Sequence, residues 1–463
     1  MRPSVSYNTR YVWTLSVIAA LGGLLFGYDW VVIGGAKPFY EKFFELHSEE
    51  LIGWANSCAL IGCLVGSVVS GVTSDRFGRK KLLILSAVLF TVSSVLTGWA
   101  SIFLSFVTWR MIGGVAIGMA SNVSPTYIAE ISPAPWRGRM VTLNQLTIVV
   151  GILAAQIVNW MISEKVPDGA SQEMIRQSWN GQYGWRWMFT AVAVPAISFF
   201  FAALFIPESP RWLAKKGRKT EARRVLARIG GEQYADQTLG EIHVALGAEA
   251  EGRVEWRELL SPGILKLLSI GVALAILQQW SGINIIFNYA EEIYRGAGYG
   301  VSGILFNIVI TGTINLVFTL FAFGLVDRLG RRPLMLFGCA GIALSHFVLG
   351  LTYRAGIKGL PVLLITLCTI ACYALSLAPV TWVLISEIFP NRVRGIGVSI
   401  SVSALWSAAF LLTFTFPILN RALGYAGTFW TYAAICLAGL FFVLLCVPET
   451  KSKTLEQIER ELT

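Results

Sequence analysis

The sequence predicts an all-α membrane protein of twelve transmembrane helices, arranged as two pseudo-symmetric six-helix bundles. Three observations carry this. Hydrophobic residues make up 55% of the 463 residues and charged ones only 14%, too little charge to coat a soluble surface. The apolar residues gather in runs near the roughly 20 residues that cross a hydrocarbon core. Short markers from the first half return, in the same order, in the second.

Taken in order, the apolar runs fall near 11–36, 51–73, 82–102, 105–130, 139–162 and 185–206, then near 264–293, 300–326, 333–353, 360–387, 395–420 and 424–447. The first run continues through Gly27, Tyr28 and Asp29 to Ile33. That is long enough to span and unlike the short core of a cleaved signal peptide, so it reads as a retained helix. The net charge of +10 needs no nucleic acid. Its Lys and Arg residues cluster in alternate connections (Arg76 to Lys81, Arg137 and Arg139, Lys215 to Lys219, Arg328 to Arg332, Arg392 and Arg394), while Lys37 to Glu50 is neutral or acidic. Positive charge stays on the inner side of a membrane, so both termini are expected in the cytoplasm. The seven cysteines sit in apolar runs without zinc or disulfide spacing, and there are only three histidines. The cysteines read as packing, and no metal or cofactor is expected.

The chain divides into a half at 1–207, a linker at 208–262, a half at 263–447 and a tail at 448–463. The linker is rich in Lys, Arg and Glu, with Ala222, Val225, Leu226 and Ile229 at helical spacing, the pattern of short amphipathic helices on a membrane face. Asp75-Arg76-Phe77-Gly78-Arg79-Lys80 returns as Asp327-Arg328-Leu329-Gly330-Arg331-Arg332, Glu130-Ile131-Ser132-Pro133 as Glu387-Ile388-Phe389-Pro390, Arg137-Gly138 as Arg394-Gly395, and Pro207-Glu208 as Pro448-Glu449. Four repeats in register argue for duplicated halves, an architecture that places a substrate near the midplane between them.

With Gly71 before Asp75–Arg79, Pro125 to Arg139, Pro207 to Leu213, Gln278-Gln279 with Gly282-Ile283-Asn284, and Pro448-Glu449-Thr450, the chain resembles the sugar porter family of the major facilitator superfamily over essentially its whole length. The resemblance implies the major facilitator fold and alternating access, in which two halves rock about a central sugar site. It implies a monosaccharide substrate and a multi-pass place in the plasma (inner) membrane, most simply as a monomer in the lipid bilayer.

Asp29 is the sharpest single residue. A charged carboxylate inside an apolar helix costs at least ~2.5 kcal/mol, and such acids mark functional sites. An acid so placed can hold a proton. In the proton-coupled branch of the family an acidic residue here is the proton carrier. Arg110, early in the fourth run beside Gly113 and Gly114, is the expected partner, since a guanidinium cannot shed its proton. Their separation would then set whether Asp29 is protonated. The plainer readings are a static ion pair for Asp29 and a snorkelling arginine for Arg110.

A sugar presents many hydroxyls that both donate and accept, and carboxamides match them without charge. Gln278, Gln279 and Asn284 crowd the seventh run, where they are expensive unless they line a wet cavity. The resemblance adds Gln145, Asn315, Trp382 and Trp406 as substrate contacts, with Phe26, Ile152, Phe287, Asn288 and Tyr289 nearby. Asn122, Asn144 and Asn159 read instead as bonds between helices. Leu405 stands where many relatives carry an amide, Asn288 where a tyrosine is frequent, and Phe323 where the first half has Gly71. Ile152 and Phe287 resemble the hexose branch, so a hexose is favoured and a pentose stays open.

Asp75, Arg76, Arg79, Glu130 and Arg137, with Arg328, Arg331, Glu387 and Arg394, fall at helix ends on the basic face. Opposite charges there can latch the halves and bias a two-state equilibrium, beyond simple anchoring to anionic lipid. The expected function is proton–sugar symport. Facilitated uniport through the same site is the alternative, and a non-transporting sensor ranks low because the tail at 448–463 is short. No G-x-S-x-G, H-E-x-x-H or P-loop pattern points to an enzyme.

Overall fold

The structure is a computed structural model that describes residues 6–167, 169–251, 261–390 and 393–451, apart from the side chains of 248–251 and of Asp327. Arg392, much of the tail and the end of the linker lie outside the described residues. Among the described residues, eleven helices are long and apolar enough to cross a membrane. The last of them, Arg394–Cys446, is two helices joined at Gly424, whose φ of 67° suits a residue without Cβ. The spans therefore number twelve. The first six are Thr9–Phe43, Glu49–Phe77, Arg79–Gly98, Phe103–Ile131, Arg137–Ile162 and Asn180–Phe205. Pro262–Asn288, Val301–Leu329, Arg331–Arg354 and Leu360–Glu387 are the seventh to tenth. No strand occurs among the described residues, as expected where every backbone group must be satisfied within its own segment.

Local chemistry sets the helix starts. Asn8 Oδ1 accepts from Tyr11 N, and Ser48 Oγ accepts from Leu51 N ahead of Glu49 and Glu50 in the first turn. These caps supply acceptors for orphan amides and negative charge for the helix dipole. The first helix continues to Phe43, past the Ile33–Ala36 end read from hydropathy. Lys37 and Glu41 are buried there, because carboxylates and a cation satisfy one another against the seventh span.

Small residues set the interhelix distances. Gly62 and Gly66 of the second span interleave with Gly114 and Gly118 of the fourth, so closely that a Cβ on Gly114 would collide with the Ala59 carbonyl. Packing of this kind drives helix association in lipid, where apolar burial gives no advantage. Gly114→Leu is expected to lower stability by about 3 kcal/mol through overpacking. A melt in detergent indistinguishable from the parent's would contradict this contact.

The linker forms Pro210–Lys215 and Lys219–Glu251, the latter kinked at Gly230 and Gly231. It is tied to the first half: Trp212 Nε1 donates to Asp75 O at 3.0 Å, Lys215 Nζ lies 2.7 Å from Asp75, and Asn8 N donates to Ile229 O. Between the halves, the second span packs on the eleventh and the fifth on the eighth. On the face opposite the linker the halves meet closely. A Cβ on Gly34 would strike the Phe287 carbonyl, and one on Gly53 the Phe414 carbonyl.

Candidate functional site

A cavity of about 840 Å³ runs between the halves and is lined near its mouth by Pro135, Gly138 and Arg139 on the linker face. At depth it meets Gln145, Gln278, Gln279, Asn284 and Asn315, with Trp382 and Trp406. With the opposite face closed, the pathway stands open on one side only.

The seventh span is broken where the amides gather. Pro262–Trp280 ends at Ser281, Gly282 takes the left-handed conformation (φ 85°), and Ile283–Asn288 starts anew. The tenth span is also broken, at Ser376, which leaves the helical region without a left-handed turn (φ -131°). Gln278 Nε2 donates to Leu377 O (3.2 Å) and to Ala378 O (3.4 Å), just past that second break. Gln279 Nε2 donates to Gln278 Oε1 at 3.2 Å, and Asn284 Nδ2 donates to Gln279 Oε1. The three carboxamides form one polarised chain along the cavity wall, each held in place by the next. Asn315 and Thr319, one turn apart, face it from the eighth span.

Apolar walls complete the pocket. Phe26 and Trp30, one turn apart on the first span, reach across to Trp406 with ring centroids 5.9 and 5.7 Å away. The Trp406 Nε1 donor has no acceptor among the described residues. Ile152, Phe287 and Leu405 also line the space. Amides on one side and ring faces on the other suit a solute that is hydroxylated at its rim and apolar on its face.

Not every residue named from sequence lies here. Asn288 and Tyr289 are buried away from the lining. Tyr289 donates its hydroxyl to Thr413 O at 2.7 Å and packs its ring at a tilt against Phe416. Gly34 of the first span presses on the backbone at Phe287 and Asn288, so closure of that face covers Asn288. Asn122 and Asn159 do bond to neighbouring helices, at Ser67 O and Val32 O. Asn144 differs: it lines the cavity and its Oδ1 has no hydrogen-bond partner among the described residues. Trp30 was not legible as a site residue, although its spacing of four from Phe26 put both on one helix face.

Asp29 lies behind this wall. Arg110 Nη1 approaches its Oδ1 at 3.0 Å, and both side chains are about 3% exposed. The guanidinium also lies over the Phe189 ring, and Asp29 Oδ2 and Arg110 Nε have no hydrogen-bond partner among the described residues. Asp29 thus shares one turn of helix with two cavity residues, Phe26 and Trp30.

At the linker face the repeated motifs form matching networks. Glu208 accepts from the backbone amides of Arg79 and Lys80, and Glu449 from those of Arg331 and Arg332. Each carboxylate thereby caps the helix that follows Gly78 or Gly330, both at φ 96°. Burial pushes the Glu449 carboxyl up, but amide donors from Lys451, Arg331 and Arg332 outweigh it and leave it below the usual range. Arg79 pairs with Glu130 (3.0 Å) and Asp75 (3.1 Å), and Arg331 with Glu387 (3.2 Å). Glu130 also takes the Ser209 hydroxyl, and Glu387 that of Thr450. Arg394 donates to Phe389 O, whereas Arg76, Arg137 and Arg328 are exposed. These pairs stay within one half, which fits a cavity open on their side.

A family profile described as sugar (and other) transporter matches residues 15–462. The chain belongs to this family. Among this sugar porter's relatives is the D-xylose-proton symporter of Escherichia coli (strain K12), 37% identical over 98% of this chain and 96% of that one. The arabinose-proton symporter of Bacillus subtilis (strain 168) is 37% identical at the same coverage, and the glucose transport protein of Synechocystis sp. is 37% identical over 97% of each. The fold matches the inward open conformation of the xylose transporter XylE from E. coli with a TM-score of 0.84 at 36% identity, covering 98% of this sugar porter and all of that chain. A partially occluded inward open form of XylE matches equally, at 0.84. The sugar porter is thus a multi-pass membrane transporter of the major facilitator fold, not an enzyme.

Proposed function

We propose that the protein is a proton-coupled monosaccharide symporter that works by alternating access. It would sit in the bacterial inner membrane as a monomer with both termini and the linker in the cytoplasm, and it has no role with nucleic acid. The observation that carries this is the Asp29–Arg110 pair, buried within one helical turn of the Phe26–Trp30 wall of the cavity. A ligand that engages Phe26 and Trp30 acts on the same stretch of helix that carries the acid. When that helix shifts away from the fourth span, Asp29 loses its cation and takes a proton in its place; when the pair re-forms, the proton leaves. Facilitated uniport would not need a carboxylate held there at such expense. The coupling to protons named for the xylose and arabinose relatives supports the same reading.

Gln145, Gln278, Gln279, Asn284 and Asn315 would hold the sugar hydroxyls, with Trp382 and Trp406 on its face and Phe26, Ile152 and Phe287 shaping the pocket. The rim residues Asp75, Arg79, Glu130, Arg331, Glu387 and Arg394 would latch the cytoplasmic face in the alternate state. The hexose favoured from sequence has no specific support, since xylose, arabinose and glucose all appear among the named relatives, and a pentose fits equally. Radiolabelled uptake in cells, competed with unlabelled glucose, galactose, xylose and arabinose, tests the substrate class. A weakly buffered suspension should turn alkaline on sugar addition. Uptake without alkalinisation would mean uniport, and no uptake of any of the four would overturn the monosaccharide reading.

A further inference from the structure

Among the described residues, a cluster of buried charge lies outside the cavity lining, two turns along the first span from Trp30, at the face opposite the linker. Lys37 of the first span is about 1% exposed. Its Nζ lies 2.8 Å from Glu41 on the same helix and 3.6 Å from Glu291, and pairs directly with Glu292. It also sits over the Tyr289 ring. Glu291 and Glu292 belong to Ala290–Gly296, the segment that continues the seventh span. The two groups of carboxylates therefore come from opposite halves, with the ammonium between them. Arg295 pairs with Glu291 at the edge, and the buried Tyr40 and Tyr289 lie beside Lys37.

We propose that Lys37 is a charge latch that holds the halves together on this face, joining Glu41 of one to Glu291 and Glu292 of the other, and that it opens when the cavity turns outward. The inference rests on the alternating-access reading above. Separating the first and seventh spans has to pull Glu291 and Glu292 off Lys37. While the site is dry, that would strand buried charges, so the closed state is strongly favoured. Once water enters, each group is solvated and the open state stands too. Such a contact switches between two arrangements and does not yield gradually.

The charge arrangement predicts a sign for each substitution. Without Lys37, no cation stands between Glu41 and the Glu291–Glu292 pair, and the attraction that joins the halves is lost. Without the Glu41 charge, Lys37 keeps both partners in the other half and the latch holds. A residue that served packing alone would show no such asymmetry.

The test uses the full chain in nanodiscs, on a background lacking the native cysteines. Spin labels at Ser101→Cys and Ile357→Cys, on exposed loops of opposite halves at this face, report its opening by pulsed dipolar distance measurement. Lys37→Met should raise the long-distance population about tenfold or more. Glu41→Gln should leave it unchanged or smaller, and Lys37→Glu with Glu292→Lys should restore the parent distribution. If Lys37→Met does not fold, Glu291→Gln with Glu292→Gln breaks the same bridge and should open the face while sparing the Lys37–Glu41 pair. A parent-like distribution in the bridge-breaking variants, or equal opening in Glu41→Gln, would overturn the latch. No sugar is needed, so that failure would leave the transport reading intact.

Discussion

Asp29→Asn is expected to abolish uphill sugar accumulation while sparing exchange of sugar across the membrane. One charge moved across 100 mV is worth about 2.3 kcal/mol, or roughly a fiftyfold concentration ratio. That ratio should fall to about one in the variant, and the alkalinisation on sugar addition should vanish with it. Asparagine keeps an oxygen for the Arg110 guanidinium at 3.0 Å but cannot take up and release a proton. The cavity wall at Phe26 and Trp30 is untouched, so counterflow of labelled against unlabelled sugar should persist near the parent rate. Accumulation that survived the substitution would remove Asp29 from the coupling mechanism. Loss of both accumulation and counterflow would assign the pair to structure, since removing one partner of a buried ion pair costs about 3–5 kcal/mol.

Gln279→Ala is expected to weaken sugar binding about tenfold or more, because a hydroxyl left unpaired in a desolvated site costs about 1–3 kcal/mol. The loss has two parts. Gln279 would itself contact the sugar, and it also accepts from Asn284 and donates to Gln278. Its removal leaves Asn284 without an acceptor and Gln278 Oε1 without a donor, while the bonds from Gln278 Nε2 to Leu377 O and Ala378 O remain. Isothermal titration on purified protein measures the change directly. A Kd within a factor of two of the parent's would show that the amide chain braces the broken helix and does not bind the substrate.

Much of this was legible because membrane insertion is a local test. Each span must be apolar over its own length, so the count and order of helices follow from hydropathy alone. Asp29, Gln278 and Gln279 stood out for the same reason, as polar groups where each is costly. Lys37 and Glu41 did not. Their sequence reads as a polar connection, and only the approach of Glu291 and Glu292 makes a buried helix of it. Asn144 and Trp30 were missed, and Asn288 and Tyr289 misplaced, because periodicity assigns a residue to a helix face without saying which neighbour covers that face.

The sequence by itself determined the family, the twelve spans, the duplicated halves and the residues too polar to be idle in a bilayer. The tertiary structure alone decided which of these share one cavity, that Glu208 and Glu449 each cap a helix of the half they directly follow, and that one face is held shut by buried charge. The reason is physical. The cost of placing a residue in lipid is set along the chain, whereas pairing and closure depend on residues some 250 positions apart, such as Lys37 and Glu292, meeting when the halves pack.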